Sequence, residues 1–377
     1  MTQADSTPDP APAAADPLAG DPVGAACALL DRSEELLSTL PREAARLAEE
    51  AAAIMERELG EAHPDHSAAL IQIGRALSQC GDPAGAEAHM RRGLASLEKI
   101  EAGHPAVDQL VVGGLIELGH VLRGAGRYAE AKPLLERAIA LSEQRLGEDN
   151  EPTAWALNAF GMLCKYDGSF DAGEAAYRRA LAILDAIHGE RHLDRATILH
   201  NLGGLAHARG DFAAGEPPAR QAYEMYLEAA GPGDLRVAIE AAAWAALLEG
   251  LGRLAEARQL YLQALEVFER TYGEEHYEVG VTLNNLASVA GELGESEEAE
   301  RLYRRTLAMK EKLLGENHPD TALTRHNLAS LLARLGRKEE ALPLSEAAAG
   351  TFAALLPADH PKVKASGDLL AELRGGG

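Results

Sequence analysis

The chain has 377 residues and a formal net charge of -23, from 59 Asp and Glu against 36 Lys and Arg. That acidic surplus disfavours non-specific attraction to nucleic acid or to an anionic membrane and favours solubility. Cys27, Cys80 and Cys164 are scattered, with no CxxC spacing, which argues against a disulfide framework and a zinc site and suits a reducing cytoplasm.

Residues 1–22 are rich in Pro, Ala and Asp and contain no Lys or Arg, so they predict a disordered tail. They carry no basic n-region or apolar h-region, and no later stretch approaches 18 uncharged apolar residues. The expectation is a cytoplasmic chain, neither exported nor anchored. Ala, Glu, Leu and Arg dominate the remainder and β-branched runs are absent, which predicts helix throughout.

Residues 23–40 predict an irregular helix ending before Pro41, and Arg42 to Leu59 a second helix closed by Gly60. This pair, 23–62, is a degenerate first unit. Its identity comes from its end, Gly60-Glu61-Ala62-His63-Pro64-Asp65, which matches Gly315-Glu316-Asn317-His318-Pro319-Asp320. Seven units follow over about 63–360, marked by Gly81, Gly126, Gly168, Gly210, Gly252, Gly294 and Gly336. All these glycines are 42 residues apart except the first two, which are 45 apart. The surplus falls around His104 to Val112, which predicts a longer connection or an extended helix start. Repeats of this length cannot bury their own apolar faces and must stack on their neighbours, so one continuous solenoid domain is expected over 23–374.

Within the sixth unit Leu283, Leu286 and Val289 fall at helical spacing, and Gly294 offers a left-handed stop. A second helix then runs from Ser296 to Leu314, ended by Gly315, and Pro319 suits the first turn of the next helix. Two columns of small residues mark where the paired helices approach. One is Gly74, Gly119, Gly161, Gly203, Ala245, Ala287 and Ala329; the other is Ala86, Ala131, Gly173, Gly215, Ala257, Ala299 and Ala341. Arg325 departs from the pattern, standing where Leu283 and Leu199 pack. Pro217-Pro218 departs too, and predicts a late start for the second helix of the fourth unit. Residues 361–374 read as an amphipathic capping helix, and Gly375 to Gly377 as a frayed end.

Leu286, Ala287, Gly294, Ala299, Tyr303 and Leu307, with Leu202, Gly203, Gly210, Gly215 and Tyr223, give a pattern that resembles the tetratricopeptide repeat (TPR). The long second helix and the Gly-Glu-x-His-Pro connector are most similar to its 42-residue, kinesin-light-chain-like version. The resemblance covers about residues 42–361. It implies an all-α, right-handed α-solenoid, a superhelix of antiparallel helix pairs whose first helices line a concave groove for a peptide or partner helix.

No GxSxG, Walker-type loop, HExxH or dinucleotide fingerprint occurs, so catalysis and a cofactor are not expected. Neither His63-Pro64-Asp65-His66 nor His188 to His192 supplies three local metal ligands. The histidines at 63, 104, 192, 276, 318 and 360 recur with the repeat, which favours polar caps between helices over a hydrolase.

Carried onto this chain, the groove positions that the resemblance implies are Arg123, Trp155, Asn158, Lys165, His200, Asn201, Asn284, Asn285, Ser288, His326 and Asn327, with Arg75 and His120 nearer the start. Asn suits such a groove because a carboxamide can donate to a peptide carbonyl and accept from its N–H. Asn can equally tie helices together, and Trp155 fits either core or groove. Arg123 and Lys165 point to a carboxylate or acidic side chain of a peptide. The two-carboxylate clamp of some family members needs Lys, Asn and Arg in three consecutive first helices, and this chain does not reproduce it. The expectation is a non-enzymatic scaffold or adaptor for a protein partner, without nucleic acid or membrane. A regulatory or sensor module acting on a partner enzyme or transcription regulator, and a self-assembling homodimer, are the alternatives.

Overall fold

The computed structural model describes residues 21–100, 103–358 and 360–375. Seventeen α-helices and no strand occur among the described residues. Two compact units arise, residues 1–187 and 188–377.

The first unit contains α1 (Pro22–Leu36), α2 (Pro41–Leu59), α3 (Pro64–Gln79), α4 (Pro83–Leu97), α5 (Pro105–Gly124), α6 (Tyr128–Leu146), α7 (Glu151–Asp167) and α8, which runs from Phe170 to His188 at the boundary. α1, α3 and α5 each pack antiparallel on the even helix that follows, Gly161 of α7 lies against Tyr177 of α8, and α1, α3, α5 and α7 lie side by side as one layer. The second unit repeats this with α9 (Leu193–Arg209), α10 (Phe212–Ala230), α11 (Leu235–Gly250), α12 (Leu254–Tyr272), α13 (Tyr277–Glu292), α14 (Ser296–Leu314), α15 (Pro319–Arg334), α16 (Lys338–Leu355) and the closing α17 (Pro361–Gly375).

The helix ends follow from local chemistry. From Gly126 to Gly336 a glycine with positive φ recurs every 21 residues, so both turns of each repeat end on one. Gly294, at φ 82°, occupies a backbone region that a Cβ would penalise by ~1–2 kcal/mol. The connector histidines cap the next helix through the ring. His318 Nδ1 accepts the backbone N–H of Asp320 at 3.1 Å, and His63, His192, His276 and His360 do the same two residues on. His104 makes no such bond. Asn150 and Asp234 supply the cap oxygen in the repeats without a connector histidine.

The small-residue columns form the closest contacts within the pairs. A Cβ placed on Gly74 would come within 2.6 Å of Met90, on Gly119 within 2.5 Å of Leu135, and on Gly161 within 2.7 Å of Tyr177. Each partner stands sixteen residues after its glycine. In the other column Ala86, Ala131, Ala257, Ala299 and Ala341 are fully buried.

The 45-residue interval resolves into a four-residue-longer first helix, α5 with 20 residues against 16 in α3, and a shorter α4 followed by a longer connector. By length and composition α5 alone among the described residues could cross a membrane. Here it is packed against α3, α4, α6 and α7, with Val111, Val112, Leu115, Leu118 and Leu122 buried.

The expected late start of α10 is not observed. The helix begins at Phe212, capped by Asp211, and runs through Pro217 and Pro218. Pro133 of α6 and Pro343 of α16 occupy the same sixth helical position as Pro217. Pro133, Pro217 and Pro343 are all exposed, and so are the residues four before them, Ala129, Ala213 and Glu339. Water can therefore satisfy the carbonyls that proline leaves free. Arg325 is buried in its leucine position and is satisfied there. It donates to the Glu316 carbonyl at 2.8 Å and to Glu311 at 2.6 Å. The expected tail lies outside the described residues except for Asp21, which caps α1, and Pro22, which begins it. Of the expected frayed end, Gly375 closes α17, and 376–377 lie outside the described residues.

Candidate functional site

In the first unit the odd-helix layer gathers charge that the even helices neutralise elsewhere. On the even helices arginines are bridged within and between repeats, as in Arg91 to Glu87, Arg92 to Glu61 and Arg178 to Glu174. On the odd-helix layer Arg75 is likewise committed, to Glu34 and, through Nε at 3.3 Å, to Glu117.

Arg123 and Lys165 are different. Neither bridges a carboxylate among the described residues. The Arg123 guanidinium lies 5.4 Å from the centre of the Tyr166 ring, and the Lys165 ammonium 6.0 Å from it. Tyr166 is half exposed and stacks on Tyr128 with centroids 6.0 Å apart. Such an aromatic face stabilises a cation by about 0.5–1 kcal/mol and leaves its N–H donors free for a ligand.

His120 completes this surface. Its Nε2 and the Arg123 Nε are both buried and lack a hydrogen-bond partner. Burial, followed by the positive charges of Arg123 and Arg75, holds the His120 imidazole down at about 4. Burial pushes the Glu117 carboxyl above its ordinary range despite Arg75. The unbridged cations Arg123 and Lys165 make this patch complementary to an anion.

The remaining predicted residues of this unit fall around it. Trp155 is half-buried, its Nε1 donating to Glu151 at 3.3 Å. Asn158 is buried within the helix layer.

In the second unit His200 Nδ1 lies 2.8 Å from the buried Glu240 carboxylate. Asn284 is a correction to the groove set, because it is buried and its Oδ1 accepts the Thr324 hydroxyl at 3.1 Å, tying α13 to α15. Asn285 and Ser288 are half-buried, and behind them Tyr261 donates to Glu249 at 3.0 Å. Burial raises the Glu249 carboxyl. Asn201, His326 and Asn327 are half-buried on the same layer, and burial lowers the His326 imidazole, whose Nδ1 has no partner.

Tyr166, Tyr128, Glu34 and Glu249 belong to these surfaces and were absent from the sequence-derived set. An aromatic beside Lys165, two residues before the turn glycine, is the signal that could have found Tyr166.

A family model described as tetratricopeptide repeat matches residues 113–172, 161–228 and 238–312, and a second with the same description matches 41–65, 67–106 and 321–362. No curated protein matches significantly. Among solved structures, a Rap protein complexed with Competence and Sporulation Factor is 14% identical with a TM-score of 0.56, over 94% of this chain and 98% of that one. A tetratricopeptide repeat protein from Parabacteroides merdae is 18% identical with a TM-score of 0.52, over 82% and 98%. Kinesin-light-chain TPR-like repeats from Podosopora anserina are 19% identical with a TM-score of 0.46, over 54% and 97%. With the first model alone matching about half the chain and helix pairs stacked throughout both units, the chain belongs to the tetratricopeptide repeat family.

Proposed function

We propose that this TPR chain is a non-enzymatic interaction module that takes an acidic segment of a partner protein on the odd-helix layer of its first unit. The observation that carries the reading is the pair Arg123 and Lys165, unbridged beside Tyr166 in a chain that neutralises most of its other arginines. A ligand carboxylate there would accept from the Arg123 guanidinium and the Lys165 ammonium, giving charge-assisted bonds stronger than neutral ones. The net charge of -23 repels acidic proteins at long range, so such a patch selects by local fit and not by steering.

An array of overlapping acidic and neutral peptides, probed with the full chain at low and high salt, tests the reading. Bound peptides should share Asp or Glu and should lose signal as salt rises. Binding indifferent to peptide charge and to salt would contradict it.

A further inference from the structure

One residue position per repeat, eleven before the turn glycine, is filled by Leu199, Leu283 and Arg325 in the second unit and by Leu70, Leu115 and Leu157 in the first, all buried. In the unit between Leu199 and Leu283 it is Ala241. A cavity of about 360 Å³ opens beside it, walled by Tyr223, Val237, Ala264 and Val267 and reaching the connector at Pro232 and Gly233. Two repeats further on, Arg325 fills the equivalent slot, its head at the carbonyl of Glu316. Glu316 stands 84 residues after Pro232, as Arg325 does after Ala241. The slot therefore admits an alkyl stem from the connector edge, with a polar group at its mouth.

That mouth carries Glu266 and Arg270, one turn apart on α12. Elsewhere such pairs close on each other, as Arg178 does on Glu174 and Arg304 on Glu300, at 2.7 and 2.8 Å. Arg270 instead gives Nη2 to the Gly233 carbonyl at 2.5 Å, and neither it nor Glu266 forms an ion pair among the described residues. A slot walled by Tyr223, Val237, Ala264 and Val267, with room for a leucine side chain beside Ala241, thus stands beneath one open cation and one open anion.

We infer that this cavity binds a free aliphatic α-amino acid of the leucine class, its side chain beside Ala241, its carboxylate on Arg270 and its ammonium on Glu266. Charge-assisted bonds at both ends of the ligand backbone fix its orientation, and the apolar walls select an aliphatic side chain. The site is independent of the acidic-segment reading, because it lies wholly in the second unit and uses none of the same residues.

Isothermal titration of the full chain with L-leucine tests this, with 4-methylpentanoate and 3-methylbutylamine as analogues lacking the ammonium or the carboxylate. L-leucine is expected to bind in the micromolar-to-millimolar range that so small a ligand allows. Each analogue, and each of Arg270→Gln and Glu266→Gln, should weaken binding at least tenfold, while Ala241→Leu should abolish it and raise the unfolding temperature by filling the slot. The two lip variants are at the surface and keep the test open if Ala241→Leu does not fold. No heat with L-leucine at roughly ten millimolar would overturn the inference. So would equal binding of leucine and its analogues, or binding that survives Ala241→Leu in a folded protein.

Discussion

At the scale of single residues, His120 is where the charge of the first unit can be read directly. Its imidazole titrates near 6.5 in an unfolded chain and at about 4 in the folded one. Between those values the unfolded chain holds a proton that the folded chain does not. Stability from this group is therefore complete above pH 6.5 and is lost as pH falls through the window towards 4. With the ring about a third exposed, solvent screening reduces the loss to ~1–2 kcal/mol. Glu117, whose carboxyl is raised, works in the opposite sense, so the effect is isolated by comparing wild type with His120→Gln in denaturant titrations from pH 7 to about 4. The variant should flatten the profile, and identical profiles would show that His120 titrates normally. The sequence placed His120, Arg123 and Lys165 together by repeat register alone. It could not show that Arg75 is already committed to Glu34 and Glu117, because those contacts join residues 41 and 42 positions apart.

At the scale of helices, much was legible because backbone chemistry repeats. Gly315 ends α14 and Pro319 begins α15 as the pattern requires, and the connector histidines other than His104 are caps, whose chemistry depends only on a nearby backbone N–H. Replacing His318 with Ala should cost ~0.5–2 kcal/mol in unfolding free energy, the usual range for an N-cap. What misled was Pro217-Pro218, where local propensity predicts a break and exposed carbonyls tolerate a continuous helix.

The small-residue columns were visible, whereas their complementarity was not. Gly161 lies against the Tyr177 ring, and in the second unit Ala245 and Ala287 stand in the same column sixteen residues before Tyr261 and Tyr303. Gly161→Ala puts a methyl within 2.7 Å of a fully buried ring and should destabilise by ~1–3 kcal/mol, measured by chemical denaturation. Gly350→Ala, in α16 with open space around its Cα, is the control and should be neutral or slightly stabilising. Equal losses in both would place the cost in the backbone and not in the contact.

At the scale of the whole molecule, specificity on the proposed reading would reside in the side chains that the odd-helix layer of the first unit leaves unbridged. The Asn residues recur in the sequence, yet Asn284 is consumed in holding α13 to α15. On the odd-helix layer of the first unit Arg123 and Lys165 stay unbridged, which concentrates the functional reading on them. The most direct test is affinity capture from the native lysate with wild type, with Arg123→Glu combined with Lys165→Glu, and with a charge-reversed control on the even helices, Arg178→Glu. Thermal unfolding should match across the three, and captured proteins are identified by mass. Partners held by wild type and by the Arg178 control but lost from the double variant are the predicted result; the same partners retained by a folded double variant would contradict the account.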